Sequence, residues 1–145
     1  MAIILIDFDG TCVTHEFPRV GKDIGAVPIL KQLVAAGHRL ILFTMRSDLE
    51  GISPVTGKME DGSLQDAINW FKENDILLYA INENPEQKEW TSSPKPYGQL
   101  IIDDSGIGCP LLFDSKISSR PYVDWNGIKY ILIQMGLLNM YSTNK

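Results

Sequence analysis

Ile3-Ile4-Leu5-Ile6-Asp7-Phe8-Asp9-Gly10-Thr11 is the stretch that decides the fold. With Ala2 it opens as an aliphatic run too short for a helix, rich in β-branched residues and suited to a strand buried on both faces. The run then breaks into two carboxylates and a Gly-Thr pair. Alone, Asp-x-Asp-Gly reads as a turn, because Asp and Gly are ordinary turn residues. At the end of a fully buried strand it also places charge on the rim of a sheet.

Further short apolar runs follow at Leu40–Phe43, Leu77–Ile81, Leu100–Ile102 and Leu111–Phe113, each read as a buried strand. Amphipathic segments lie between them. Val27–Ala36 carries Val27, Leu30, Leu33 and Val34 on one helical face, with Pro28 tolerated in its first turn and Gly37 as a stop. A second helix starts at Ser63 as N-cap and turns Leu64, Ala67, Ile68 and Phe71 inward. A third has Asp124 as N-cap, faces Ile128, Ile131, Leu132 and Met135 inward, and ends by Gly136. A short helix is expected near Gln87–Trp90. Strands alternating with helices define an α/β fold: a Rossmann-like three-layer sandwich, a mostly parallel central sheet with helices on both faces. Residues 1–145 read as a single domain.

Composition sets the outer bounds. Thirteen Lys plus Arg against eighteen Asp plus Glu give 145 residues a net charge of −5, which disfavours a nucleic-acid partner. Two cysteines, Cys12 and Cys109, make no disulfide framework and no Cys-based zinc site, so the expected compartment is the cytoplasm. Neither the apolar start nor Ile128–Leu138 has the length of a membrane span, and no membrane partner is expected.

The residues that close the runs carry the chemistry. The first run ends at Asp7 and Asp9, the second at Thr44, the third at Asn82 and the fourth at Asp103-Asp104. In an open parallel sheet all strand C-termini share one edge, so these endings should meet in a crevice. Four gathered carboxylates need a cation or raised pKa values. Hard oxygen donors in a site open to phosphate suit Mg²⁺. Such an ion would let a phosphate approach a carboxylate nucleophile. Thr44 can donate to a phosphoryl oxygen, and Lys95 can supply positive charge. Arg46 is evenly divided between a substrate anion and the surface. Asn82 and Asn84 are assigned to turns, and the tryptophans to packing. Eighteen acids less those four aspartates leave fourteen against thirteen bases, so most of the net charge belongs to the crevice.

Together these residues resemble the haloacid dehalogenase-like (HAD) phosphohydrolase superfamily. Ile3–Thr11 resembles its motif I, Leu40–Thr44 its motif II, Lys95 its motif III and Ile101–Asp104 its motif IV, in the family's order and over about two thirds of the chain. The resemblance implies a Mg²⁺-dependent phosphomonoester phosphatase. Asp7 would be the nucleophile that forms an aspartyl-phosphate, and Asp9 the general acid and base. It implies a metal held by the Asp7 side chain, the Asp9 backbone carbonyl and motif IV, with Asp104 preferred to Asp103 as the direct ligand. Lys95 is preferred to Lys88 as the motif III lysine because it lies closer to the motif IV strand. Gly10, Thr11 and Arg46 are candidate substrate contacts.

Only about ten residues, Cys12 to Gly21, separate motif I from the first helix, room for a flap rather than a cap domain. The chain therefore resembles small capless bacterial members. Thr44-Met45-Arg46 matches their TMR sequence. The flap at His15–Arg19 and the loops Ser47–Gly62 and Asn82–Pro96 are the candidate specificity elements. The substrate is a phosphorylated small molecule or a larger phosphorylated partner, and the oligomeric state stays open. A phosphoacceptor receiver domain fails on motif order. A catalytically silent metal- or ligand-binding module is the alternative.

Overall fold

In the computed structural model, residues 1–48, 57 and 62–140 are described. Four strands, β1 (Ile3–Ile6), β2 (Arg39–Leu42), β3 (Ala80–Ile81) and β4 (Leu100–Ile102), form a parallel sheet in the order β3-β2-β1-β4. β1 pairs on both sides and every one of its residues is buried, which is why it is uniformly aliphatic. Its register sets Ile6 beside both Leu42 and Ile102. The next residues, Asp7, Phe43 and Asp103, therefore leave the sheet at one height, and this brings the distant motifs together.

Three helices flank the sheet: α1 (Ala26–Ala35), α2 (Ser63–Glu73) and α3 (Trp125–Gln134). α1 ends before Gly37, whose φ of 91° is a left-handed conformation open to glycine. Asp124 caps α3, its side chain accepting the Asn126 and Gly127 amides. The main core joins Ile4, Ile6, Leu40 and Leu42 to Leu30 and Leu33 of α1, Phe71 of α2 and Leu132 of α3. Fully burying a leucine or phenylalanine of this kind is worth about 1.5–3 kcal/mol.

The expectation of helices on both faces needs correction. β1, β2 and β3 are laid down in one direction across the sheet, and right-handed crossovers then carry α1 and α2 to the same face. The opposite face holds a smaller cluster of Ile3, Leu5 and Ile41. It is covered by the connection from β3 to β4, which contains a 3-10 turn at Gln87–Glu89. At the end of that connection Gln99 Oε1 accepts the Ile3 amide at 2.7 Å. Gly98 sits so close to Leu5 that a Cβ there would lie 3.2 Å from its Cγ.

Other differences have local causes. Leu111–Phe113 is not a buried strand: β5 (Leu111–Leu112) is exposed and pairs antiparallel with β6 (Tyr122–Val123) outside the main sheet. β3 begins at Ala80 rather than Leu77, which is 73% exposed. Ser63 is the first helical residue of α2, not its cap; its hydroxyl donates to the Ser47 carbonyl instead. Ile131 and Met135 are exposed, so the buried stripe of α3 is narrower than its apolar pattern. Most of the Ser47–Gly62 loop lies outside the described residues. Among the described residues no helix is long and apolar enough to cross a membrane.

Candidate active site

Beyond β1 the chain turns at once. Phe8, fully buried, packs on Trp70 and Phe71 of α2, and its carbonyl accepts the Thr11 and Cys12 amides. This turn is clamped from outside. The Val123 amide donates to the Gly10 carbonyl, and Trp125 Nε1 donates to the Thr11 carbonyl at 2.7 Å. Trp125 is thus a packing residue that also fixes the loop carrying the carboxylates.

Asp7, Asp103 and Asp104 each offer a carboxylate oxygen, and these oxygens all lie within 4.8 Å of one another. Three aspartates that the sequence separates by up to 97 positions therefore share one site. Burial, followed by the Asp103 and Asp104 charges, pushes the Asp7 carboxyl from 3.8 up to about 8, outweighing the opposing Thr11 hydrogen bond. A carboxyl held that high is a group whose ionised form needs a cation beside it. Half-buried hard oxygens at this spacing fit a small divalent ion. Asp103 is braced by Ser105, whose amide and hydroxyl donate to Oδ1 at 2.9 and 2.7 Å.

Thr11 and Gly10 have other roles than the substrate contacts expected of them. Thr11 is fully buried; its hydroxyl donates to Asp7 Oδ2 at 2.7 Å and accepts the Asp104 amide at 3.0 Å. It ties the end of β1 to the end of β4. Gly10 has a φ of 81°, and a Cβ there would overlap the His15 ring and an Asp104 oxygen. Glycine is required for close packing, not for cradling an anion. Cys12 is also structural: its buried thiol donates to the Asp7 carbonyl at 3.3 Å, and burial pushes it well above the usual thiol range.

Asp9 is paired with a buried guanidinium. Arg46 Nε and Nη2 each donate to one Asp9 oxygen at 2.8 Å. Arg46 is only 3% exposed, so it is neither the surface arginine nor the substrate contact that the sequence left open. Thr44 lies at the end of β2; its amide donates to Asn82 Oδ1 at 2.8 Å and its hydroxyl accepts the Arg46 amide at 3.1 Å. Asn82 adopts φ 54° to make that contact, so its turn role and its site role are the same. Asn84 serves a turn, accepting the Glu86 amide and donating to the Tyr97 carbonyl.

Lys95 precedes β4, and its segment feeds into Gly98 and Gln99, which lie beside Ile3. Lys95 lines a cavity of about 380 Å³ with Trp90, Tyr97 and Ile101. Lys88 instead lines one of about 410 Å³ together with Asn82, the residue that holds Thr44. Residues before a parallel strand arrive at its N-terminal edge, whereas those after β3 start from the C-terminal edge, so nearness in sequence to β4 does not by itself choose between the two lysines.

His15 was missed by sequence reasoning. Its Nε2 lies 2.7 Å from Asp104 Oδ2, and both side chains are 15% exposed. It stands in the flap with no neighbouring metal-ligand spacing, so only the Gly-Thr turn folding back on itself brings it to the site.

Fold and site together define an α/β protein with an acidic cluster at the C-terminal edge of its parallel sheet. No family model and no curated protein matches the chain. The structure of a conserved protein from Bacteroides thetaiotaomicron is similar, with 33% identity over 93% of this chain and 91% of that one, and a TM-score of 0.65. The chain belongs to the same family as that conserved protein.

Proposed function

We propose that this protein is a HAD-type phosphatase, a Mg²⁺-dependent phosphomonoester hydrolase working through an aspartyl-phosphate on Asp7. The observation that carries the reading is the convergence of Asp7 with Asp103 and Asp104 where β1 and β4 end. Three acidic residues brought together on adjacent strands at a sheet's C-terminal edge match a site for a cation and a phosphate. In this reading the fold is the capless Rossmann-like sandwich of that superfamily. The free thiols of Cys12 and Cys109 accord with a cytoplasmic setting.

Mg²⁺ bound by Asp7, the Asp103–Asp104 pair and the Asp9 carbonyl would supply the positive charge that lets an anionic phosphate approach. Asp7 then attacks phosphorus, forming the acyl-phosphate bond as the ester P–O bond breaks. Asp9 hands its proton to the departing oxygen. In the second half Asp9 takes a proton from water, the water oxygen bonds to phosphorus, and the Asp7–phosphorus bond breaks to release phosphate. A carboxylate has about four lone-pair sites and Arg46 occupies two, so an Asp9 oxygen can still take up the proton that it must carry into the first step and regain in the second. Thr44 donates a hydrogen bond to a phosphoryl oxygen, and Lys95 or Lys88 balances the phosphate charge; Lys88 lines the cavity that also holds Asn82, the partner of Thr44. The substrate is a phosphorylated small molecule or a larger phosphorylated partner.

Phosphate release from a panel of phosphomonoesters, with and without Mg²⁺, tests the reading. Magnesium-dependent release that Asp7→Asn abolishes supports it. Magnesium binding without release from any ester would instead make the protein a silent metal-binding module.

A further inference from the structure

We infer that Arg46 is a positioning residue through which the flap Cys12–Gly21 sets the orientation of Asp9; the inference rests on the phosphatase reading. A guanidinium has five N–H donors, and each one of Arg46 is committed. Nε donates to Asp9 Oδ2 at 2.8 Å, and Nη2 to Asp9 Oδ1 at 2.8 Å and the Arg19 carbonyl at 2.7 Å. Nη1 donates to the Pro18 carbonyl at 3.1 Å and the Ser63 carbonyl at 3.0 Å. Its carbon lies 4.9 Å from the Phe8 ring centre and 5.2 Å from that of Phe17. No donor is left for a substrate.

The partners divide in an informative way. Phe8 and Ser63 belong to the rigid body, one beside the motif I turn and the other at the start of α2. Phe17, Pro18 and Arg19 belong to the flap. A bidentate fork fixes the plane of the Asp9 carboxylate as well as its position. If the flap lifts, the guanidinium loses two carbonyl acceptors and one aromatic face. The same guanidinium grips both the flap and Asp9, so the flap's position and the orientation of the Asp9 carboxylate are tied through it. His15 pins the same flap to Asp104 at 2.7 Å, so both of its ends rest on functional carboxylates. Flap closure and presentation of the acid/base group are one event in this arrangement.

The test compares Arg46→Lys and Phe17→Ala with the wild type on an alkyl phosphate and on p-nitrophenyl phosphate, whose leaving group departs without a proton. Lysine keeps the charge but not the fork, and Phe17 touches no carboxylate. General acid catalysis contributes about 10²–10⁴-fold. Arg46→Lys should therefore lower kcat for the alkyl ester about 100-fold, with KM little changed, and spare the burst rate on the aryl ester. Phe17→Ala should move the same quantities in the same direction by about 10-fold. Equal losses on both esters, or a rise in KM alone, would overturn the inference. Amide exchange over residues 16–22, read on the same folded proteins, is a second arm: Arg46→Lys should accelerate it, and unchanged exchange would contradict the coupling. If the wild type hydrolyses neither ester, the broader ester panel decides the phosphatase reading and the exchange arm alone decides the coupling.

Discussion

His15 Nε2 lies 2.7 Å from Asp104 Oδ2. An ionised carboxylate can only accept, so the ring nitrogen facing it carries the proton and orients one oxygen of the aspartate. Partners of this kind, which hold a metal ligand without touching the metal, are worth about 10–100-fold in affinity. His15→Ala should weaken Mg²⁺ binding by about 10-fold while leaving the fold intact. Calorimetric titration with Mg²⁺ measures this, and unchanged affinity would remove His15 from the site.

Asp7 links stability to pH. Its carboxyl stands at about 8 in the folded metal-free protein against 3.8 for an unfolded aspartate. Between those values the folded chain holds a proton that the unfolded chain has lost. Stability is therefore full below about 4 and is lost as pH rises through about 8, by an amount on the order of a few kcal/mol. Urea unfolding in EDTA at a series of pH values should show this decline, and Asp7→Asn should flatten it. An unchanged slope in the variant would assign the pH dependence to other groups.

Gly10→Ala places a methyl group where the His15 ring and an Asp104 oxygen already stand, in a left-handed backbone conformation. The backbone alone costs about 1–2 kcal/mol. A lower melting temperature should accompany weaker Mg²⁺ binding, because the displaced groups belong to the site. Loss of stability with unaltered metal affinity would show that His15 and Asp104 can move aside freely.

Lys88 and Lys95 make opposite predictions. Lys88 shares a cavity with Asn82, which holds Thr44, whereas Lys95 lines another with Trp90 and Ile101. Removing a charge that stabilises the transferring phosphoryl group costs about 10²–10³-fold. Lys88→Ala should lower kcat/KM on that scale, with Lys95→Ala close to wild type. The reverse pattern would restore the sequence-based preference.

What could be read from the sequence was what local chemistry determines. Ile3–Ile6 could only be a strand buried on both faces, and Asp7 and Asp103-Asp104 converge because parallel strands share a C-terminal edge. Pro28, Gly37 and Asp124 marked helix ends for reasons internal to a helix. What failed depended on which way the chain travels afterwards. The apolar Leu111–Phe113 run sits on an exposed hairpin outside the main sheet. Arg46 and His15 were ambiguous because their partners, Asp9 and Asp104, lie 37 and 89 positions away. No spacing pattern encodes such pairs.

Rapid acid quenching of the protein mixed with Mg²⁺ and a labelled phosphomonoester tests the central claim most directly. Wild type should release phosphate over many turnovers, and the quenched chain should carry label that Asp7→Asn lacks. Asp9→Asn should slow turnover by about 10²-fold or more. Release that persists in Asp7→Asn, or a wild type that binds Mg²⁺ yet releases no phosphate from any ester in a broad panel, would contradict the claim.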